Sequence, residues 1–259
     1  MFAGIDIGSV TSKAVIMDEE EILSFSILDT AYNRYESGRD VLKLGLEKIG
    51  KAIDGIKYIV ATGYGRRSFT PSNKVLPEIV CHARGTKFLF PGVRTIIDIG
   101  GQDSKIIELD EDGCVNKFEM NDKCAAGTGR FLEVLSERIL GLRLEELDSL
   151  SSKCENPCVL SSMCTVFAES EIISYLSENK AKEDIICGMN NAIAKRVINM
   201  GISGLIDYRE PIVFSGGVAK SVGVVNAIQE ELRKKIVTPK EPQITAALGA
   251  ALFAAASVK

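Results

Sequence analysis

Two stretches of the chain carry the same residues with the chemistry to hold a phosphate chain. Asp6–Lys13 and Asp98–Lys105 both have the pattern Asp-Ile-Gly-x-x-x-Ser-Lys, and each lies between apolar runs typical of β-strands. A glycine turn after a buried strand lets backbone N–H groups approach a ligand closely. Hydroxyls and an ammonium follow in each copy, and the aspartate at the strand end can hold the water ligands of Mg²⁺. Two such turns facing each other would clamp a nucleotide.

The elements that position these turns follow from a longer repeat. Residues 4–18 align without a gap to residues 96–110, and both copies predict a strand, a tight turn and a second strand. The repeat indicates that the chain arose by duplication. Either copy alone is equally compatible with an ordinary β-hairpin that has a glycine turn. The two matched copies favour phosphate binding.

A third glycine-bearing segment supports the same interpretation. Residues 211–220 predict a short buried strand that ends in Gly216 and Gly217 before a helix. With the two hairpins, this segment resembles the actin, hexokinase and Hsp70 superfamily of ATPases. The resemblance implies an α/β fold of two duplicated lobes, with the nucleotide in the cleft between them and the two glycines against the adenosine. No Gly-x-x-x-x-Gly-Lys-Ser/Thr motif occurs, so a P-loop site is excluded.

The composition is that of a compact enzyme. The 259 residues are 46% hydrophobic and 25% charged, which allows a large core near the length at which cores divide into domains. The net charge of -4, with scattered lysines and arginines, gives no reason to expect nucleic acid binding. The first motif lies so close to residue 1 that we expect no signal peptide, and no apolar run reaches the roughly 18 residues of a membrane span. The expected location is the cytoplasm.

Seven cysteines without an export signal favour buried or metal-bound thiols over disulfides. Cys124 lies in a turn of small residues that is predicted to open a helix at about residue 128, and Cys164 precedes a predicted helix from about residue 166. The positive end of a helix dipole stabilises a thiolate or an anionic cluster. A single cysteine of this kind is commonly a small buried hydrophobe. The matched contexts favour ligands.

Together these motifs closely resemble the BadF/BadG/BcrA/BcrD ATPase family. That family includes the ATP-dependent activators of 2-hydroxyacyl-CoA dehydratases, ATPase subunits of benzoyl-CoA reductases and reductases of double-cubane proteins. The resemblance covers nearly the whole chain and is carried by residues 4–13, 61–66, 78–83, 96–105, 121–131, 164–171 and 215–219. It implies ATP hydrolysis coupled to electron transfer. It also implies that Cys124 and Cys164 bind one [4Fe-4S] cluster shared by two identical subunits.

The ligand count agrees with a shared cluster, because a cubane normally takes four thiolates and the matched motifs offer two per chain. An alternative stays open. Cys154 and Cys158 have the spacing C-x-x-x-C and could join Cys124 and Cys164 in a four-cysteine site within one chain. The remaining three cysteines are predicted to be structural.

The resemblance also implies roles for the residues of the nucleotide site. Asp6 and Asp98 orient the waters of Mg²⁺, and Gln102 meets the terminal phosphate or its attacking water, so these three are the catalytic candidates. The other expected ATP contacts are Ser9, Val10, Thr11, Ser12, Lys13, Gly100, Gly101, Gly216, Gly217 and Gly249. Closure of the lobes on the nucleotide would move the helices that carry the cluster ligands.

The sequence also predicts the limits of the two lobes, and the resemblance implies the partners in electron transfer. Residues 1–93 form the first lobe and residues 94–244 the second, which carries the cluster ligands, and the helix at about 245–259 returns to the first lobe. An electron would enter from a reduced ferredoxin or flavodoxin. It would leave to an iron–sulfur dehydratase or reductase.

Two other functions stay open. A sugar or N-acetylhexosamine kinase of the same fold would need a general base, for which Asp103 is the candidate, although the short connections leave little room for a sugar domain. An actin-like, nucleotide-gated scaffold accounts for the duplicated hairpins and leaves the cysteines without a role.

Overall fold

The structure is a computed structural model that describes residues 1–161 and 164–258. Its contacts divide the chain into two units. The first contains Met1–Ile96, Ile107–Lys117 and the chain from Pro239 onward, and the second contains Ile97–Ile106 and Phe118–Thr238. The lobe limits expected from the sequence stay a prediction. In the two described ranges, none of the helices combines the length and the apolarity of a bilayer span.

The strands form two five-stranded sheets of the same plan. In chain order they are β1 (Phe2–Ile7), β2 (Thr11–Asp18), β3 (Glu21–Asp29), β4 (Tyr58–Thr62), β5 (Lys74–Val75), β6 (Thr95–Ile99), β7 (Ser104–Leu109), β8 (Val115–Asn121), β9 (Ile212–Ser215) and β10 (Ile236–Val237). The sheets have the orders β3-β2-β1-β4-β5 and β8-β7-β6-β9-β10. In each copy of the repeat, the first strand, β1 or β6, is the central strand of its sheet, and the second strand, β2 or β7, lies beside it. The strand–turn–strand pattern predicted from the sequence is therefore confirmed.

The pairing in the first sheet fixes the ends of its hairpin. β1 is antiparallel to β2, with Asp6 opposite Lys13, and parallel to β4, with Asp6 opposite Thr62. Every residue of β1 is buried, as expected for the centre of a sheet covered on both faces. The carboxyl end of this strand brings Asp6 to the start of the glycine turn.

The described residues form eight α-helices. They are α1 (Arg34–Glu47), α2 (Glu78–Leu89), α3 (Gly129–Val134), α4 (Leu144–Ser151), α5 (Thr165–Ser177), α6 (Lys182–Ser203), α7 (Val222–Leu232) and α8 (Thr245–Ala256). A π-helical turn, Leu135–Leu140, extends α3. Sequence periodicity did not predict α4, a short helix that ends just before the cysteine-bearing connection at 154–164. Two residues of that connection, Ser162 and Met163, lie outside the described residues.

In the first unit, α8 packs closely because its residues are small. A methyl group added to Gly249 would overlap the carbonyl oxygen of Cys81 on α2, and one added to Gly85 would overlap the carbonyl oxygen of Thr245. A methyl group on Gly4 of β1 would meet the carbonyl oxygen of Ala247 in the same way. The backbone of α8 therefore lies directly against α2 and against the strand that carries Asp6.

The second unit has one large apolar core. It joins the central strands of the second sheet to α3, α5, α6 and α7 through residues such as Ile97, Ile106, Phe131, Ile172, Ile193, Phe214 and Ile228. Asp148 of α4 fixes the start of α7, because its carboxylate accepts hydrogen bonds from the amides of Val222 and Gly223 at 3.0 Å. The short helix α4 thus closes the N-terminus of α7.

The close packing of α8 predicts a stability effect at Gly249. We expect Gly249→Ala to lower the free energy of unfolding by about 1–3 kcal/mol, because the new methyl group must push α2 and α8 apart. Helix propensity alone would favour alanine by about 1 kcal/mol, so a net loss identifies the steric overlap. Denaturant unfolding measures the difference, with Gly92→Ala as the control because a methyl group there meets nothing within 4 Å. Equal stability of the two variants would contradict the close packing.

Candidate functional site

The first hairpin forms a tight turn at Gly8. The Gly8 amide donates to the carbonyl of Thr11 at 3.1 Å, and a Cβ at Gly8 would lie only 2.7 Å from that oxygen. The Lys13 ammonium lies 3.4 Å from a carboxylate oxygen of Asp6 and donates to the Thr11 carbonyl at 3.1 Å. The turn therefore brings together the aspartate, the lysine and the exposed tip at Val10 that the sequence analysis singled out.

Thr30 supports this turn and was missed by the sequence analysis. Its amide donates to the Val10 carbonyl at 2.8 Å, and its hydroxyl donates to the Gly8 carbonyl at 3.1 Å. The hydroxyl oxygens of Thr30 and Ser12 are 2.9 Å apart and hydrogen-bonded. Ser12 is fully buried, so its hydroxyl serves the turn in this structure. The position of Thr30 directly after β3, at the end of a strand that pairs with β2, was the signal that could have found this support.

The second hairpin holds a buried cluster of charges. Its turn is closed by the Gly100 amide, which donates to the Asp103 carbonyl at 2.9 Å. The Lys105 ammonium lies 2.8 Å from a carboxylate oxygen of Asp103 and 3.4 Å from one of Asp98. All three side chains are buried, whereas Gln102 is exposed at the tip of the turn. Lys105 was not among the predicted site residues, although the repeat placed a lysine there. Asp103, the candidate base of the kinase alternative, is an ion-pair partner.

The third glycine-bearing segment meets the second hairpin. The Ser215 hydroxyl at the end of β9 donates to the second carboxylate oxygen of Asp98 at 2.8 Å. Gly216 has a φ of +89°, and a side chain there would overlap the backbone carbonyl of Ile99. Only glycine allows this close approach. The structure thus brings Gly216 against the strand that carries Asp98, and the contact of Gly216 and Gly217 with the adenosine stays a prediction.

Cys124 lies in a turn that is joined to the second hairpin through α3. The Asn121 side chain closes the turn, because it accepts from the Cys124 amide at 3.1 Å and donates to the Cys124 carbonyl at 2.7 Å. Helix α3 begins at Gly129, five residues after the cysteine. The amides of Gly129 and Arg130 donate to the carbonyls of Gly100 and Gly101 at 2.9 and 2.8 Å. The first amides of α3 are thus used by the phosphate turn, and the turn that holds Cys124 leads into a helix close to residue 128, as predicted.

Cys164 is placed differently. It is the residue before the first turn of α5, and its carbonyl accepts from the amides of Phe167 and Ala168. The residue is exposed, and Val166 and Phe167 beside it are each about two-thirds exposed. The helix-start context predicted from the sequence is therefore present at Cys164, next to an exposed apolar surface.

Cys154 and Cys158 lie at the N-terminal turn of α6. The Asp184 carboxylate accepts from the amides of Glu155 and Asn156, and the Asp184 carbonyl accepts from the Cys158 amide at 2.9 Å. Burial raises the pKa of the Cys154 thiol, and the adjacent Cys187 and Asp184 raise it further. Burial and Asp184 also raise the pKa of Cys158. Both effects oppose the thiolate form that binds metal.

The four-cysteine alternative gains no support from this arrangement. Among residues 1–161 and 164–258, which include all seven cysteines, no group of three or more histidine, cysteine, aspartate or glutamate side chains is placed to hold a metal ion. Cys124 and Cys164 therefore have no third ligand of these types in the described part of their own chain.

Gly249 lies in the middle of α8, and its contact with the Cys81 carbonyl accounts for a glycine at this position. Its role as an ATP contact stays a prediction. Burial raises the pKa of the Cys81 thiol to about 12, so this cysteine is an inert core residue.

Two duplicated sheets, each with an Asp-x-Gly hairpin at its centre, define an ATPase of the actin and hexokinase class. The comparisons with known proteins make the assignment specific. The profile of the BadF/BadG/BcrA/BcrD ATPase family matches residues 3–254, and the chain belongs to that family.

Named relatives cover almost the entire chain. The 2-hydroxyisocaproyl-CoA dehydratase activator of Clostridioides difficile is 46% identical over 252 residues, which are 97% of this chain and 93% of the relative. The (R)-2-hydroxyglutaryl-CoA dehydratase activating ATPase of Acidaminococcus fermentans is 42% identical over 253 residues, which are 97% of this chain and 95% of the relative.

Solved structures support the same fold. The activator of the 2-hydroxyisocaproyl-CoA dehydratase from Clostridium difficile with bound ADPNP has a TM-score of 0.93 and 44% identity, covering 99% of this chain and 95% of its own. A ROK family glucokinase from Streptomyces griseus in complex with glucose and AMPPNP has a TM-score of 0.59 and 14% identity, covering 98% of each chain. At that identity the glucokinase shows the fold alone.

The roles assigned to the two turns predict that a substitution in the first turn changes the KM for ATP, whereas a substitution in the second changes kcat. We expect Lys13→Met to raise the KM for ATP roughly tenfold, because a phosphate contact present throughout the reaction is lost. Gln102→Ala should lower kcat about 10- to 100-fold with little change in KM, because the attacking water loses its orientation. Steady-state ATPase assays measure both, with Lys51→Met as the control for loss of one exposed positive charge. Parent-like kinetics in both variants would refute the assigned roles.

Proposed function

We propose that this protein is an ATP-hydrolysing activator that delivers single electrons to a partner iron–sulfur enzyme. The partner is of the 2-hydroxyacyl-CoA dehydratase type, or of the related benzoyl-CoA reductase or double-cubane type. Membership of the ATPase family and relatives named as dehydratase activators support this function. One structural observation connects ATP binding to the cysteines.

That observation is the pair of hydrogen bonds between the turn of the second hairpin and the start of α3. The turn at Gly100 and Gly101 cannot move without carrying the amides of Gly129 and Arg130, or breaking both bonds. A methyl group on Gly129 would lie 3.2 Å from the Gly100 carbonyl oxygen and 3.3 Å from Val218, so the two backbones are in close contact. A shift of the turn on binding phosphate is thereby transmitted to the segment that contains Cys124.

Each hairpin has its own task in binding the nucleotide. The first turn holds phosphate oxygens through Ser9, Val10, Thr11 and Lys13, and the buried Ser12 supports that turn through its hydrogen bond to Thr30. Gly100 and Gly101 of the second turn lie against the phosphates, and Gln102 orients the attacking water. Gly216 and Gly217 lie against the adenosine. Asp6 and Asp98 are buried carboxylates at strand ends, and carboxylates of this kind hold Mg²⁺ through its waters. Bound Mg²⁺ would neutralise phosphate charge.

Cys124 and Cys164 fit the ligand set of a [4Fe-4S] cluster shared by two copies of the chain. Cys164 is exposed and Cys124 is half-buried, so both thiols are accessible. Two thiols per chain complete four ligands only in a homodimer. The exposed Val166 and Phe167 offer apolar surface next to Cys164 for a second copy to cover. When bound, the cluster supplies one-electron chemistry at low potential. A reduced ferredoxin or flavodoxin is the proposed donor.

The shared cluster predicts the iron content. Protein purified anaerobically should contain about two irons per chain, because four irons divide between two subunits. Cys124→Ser and Cys164→Ser should each lose the iron and the dimer, measured by iron analysis and analytical ultracentrifugation. Cys114→Ser is the matched control, since it removes an exposed thiol elsewhere. About four irons per chain, lost on Cys154→Ser or Cys158→Ser, would establish the site within one chain instead.

Coupling through Gly129 predicts the effect of a single methyl group. The parent protein, reduced and mixed with a dehydratase-type partner, should transfer an electron only in the presence of ATP and Mg²⁺. Gly129→Ala should still hydrolyse ATP, but we expect roughly tenfold fewer electrons delivered per ATP, because the added methyl group disturbs the contact between turn and helix. Rapid mixing with optical detection of the reduced partner gives this ratio, and Gly92→Ala is the control. ATP-independent reduction by the parent would overturn the proposed function.

A further inference from the structure

The second hairpin repeats the Lys13–Asp6 ion pair of the first as Lys105–Asp98, and it adds a further ion pair between Lys105 and Asp103. Lys105 is 2% exposed and lies between Asp98 and Asp103, which are 3% and 6% exposed. Asp103 of the second copy aligns with Thr11 of the first, so the first hairpin has one aspartate for its lysine and the second has two. Counted over the two repeated octets, residues 6–13 are therefore electrically neutral, and residues 98–105 carry one net negative charge.

Without Lys105 this arrangement would oppose the binding of an anion. Two buried carboxylates at the turn would repel any phosphate group that approached Gly101 at the turn of the second hairpin. Their repulsion of the phosphate is strong where water is excluded. Removing one member of a buried ion pair also leaves the partner charge uncompensated. Lys105 sits closer to Asp103 than to Asp98, by 2.8 against 3.4 Å, so it offsets the additional carboxylate first.

Lys105 and Ser215 together fix the carboxylate of Asp98. The Ser215 hydroxyl donates to one oxygen at 2.8 Å, and the Lys105 ammonium lies 3.4 Å from the other. These contacts come from two strands that neighbour β6 on its opposite sides. A carboxylate that is held from both sides keeps one orientation. A residue that binds water molecules at fixed positions needs such a fixed orientation.

From this geometry we infer that Lys105 is a positioning residue for the nucleotide site. It neutralises Asp103 and orients Asp98, and it thereby allows the turn of the second hairpin to receive the phosphate end of ATP. The inference rests on the proposed binding of ATP by this turn. It assigns to Lys105 a role through its neighbours and no contact with the nucleotide.

Substitutions that change the charge of the hairpin test this role. Asp103→Asn makes the hairpin neutral, Lys105→Met gives it two negative charges, and the double variant Asp103→Asn/Lys105→Met restores the net charge of the parent. Affinity for a non-hydrolysable ATP analogue is measured by calorimetry, both with Mg²⁺ and in EDTA. We expect affinity to follow charge, with Asp103→Asn at least as tight as the parent and Lys105→Met weaker by roughly tenfold or more. The double variant should bind within about threefold of the parent.

Two further measurements separate positioning from a purely structural role. Lys105→Arg keeps the charge and should retain near-parent affinity and kcat. Thermal unfolding of each variant without nucleotide shows whether the fold is retained. If Lys105 only stabilised the hairpin, the double variant would bind no better than Lys105→Met, and that result would overturn the inference. If the parent itself failed to bind the analogue in either buffer, the proposed function would fail instead. The control double variant Asp103→Asn/Lys13→Met should show no rescue, because Lys13 belongs to the other hairpin.

Discussion

The amides that begin α3 are bonded to the carbonyls of the second phosphate turn, and the arrangement of the second unit depends on this contact. A helix leaves its first amides without partners inside the helix, and here the turn at Gly100 and Gly101 supplies them. The contact at residue 129 is tight, because a Cβ there would lie 3.2 Å from the Gly100 carbonyl oxygen. These hydrogen bonds join the glycine turn directly to the helix that follows Cys124.

The two copies of the hairpin have kept their backbone and diverged in what supports it. The first turn is held by Thr30, whose amide and hydroxyl bond to the carbonyls of Val10 and Gly8. The second is held by the charges of Lys105 and Asp103 and by the Ser215 hydroxyl on Asp98. In the first hairpin Lys13 balances the single aspartate Asp6, whereas in the second Lys105 lies beside two buried carboxylates. Duplication thus preserved the geometry of the turns and changed their electrostatics.

The two proposed cluster ligands also differ in their surroundings. Cys164 precedes α5 directly and is exposed beside Val166 and Phe167, so the helix dipole and an apolar surface act at the same place. Cys124 depends on an Asn121-closed turn for its position. The segment that contains Cys124 leads into α3, whose first amides are bonded to the phosphate turn, so the proposed cluster would be linked to that turn through Cys124.

The sequence by itself determined the two duplicated α/β sheets, the hairpins at their centres and the membership of an ATPase family, because these depend on local patterns: apolar strands, glycine turns and a repeated Asp-x-Gly. It placed Asp6, Asp98, Gly216 and Gly217 correctly within those elements. It missed Thr30, Lys105 and the bond between the Gly100 turn and α3. Only the tertiary structure decided these contacts. Most partners of the buried hydroxyl groups and helix-end amides lie tens of residues away in the sequence, and the packing of the fold brings them together. Local residue spacing contains no information about such partners.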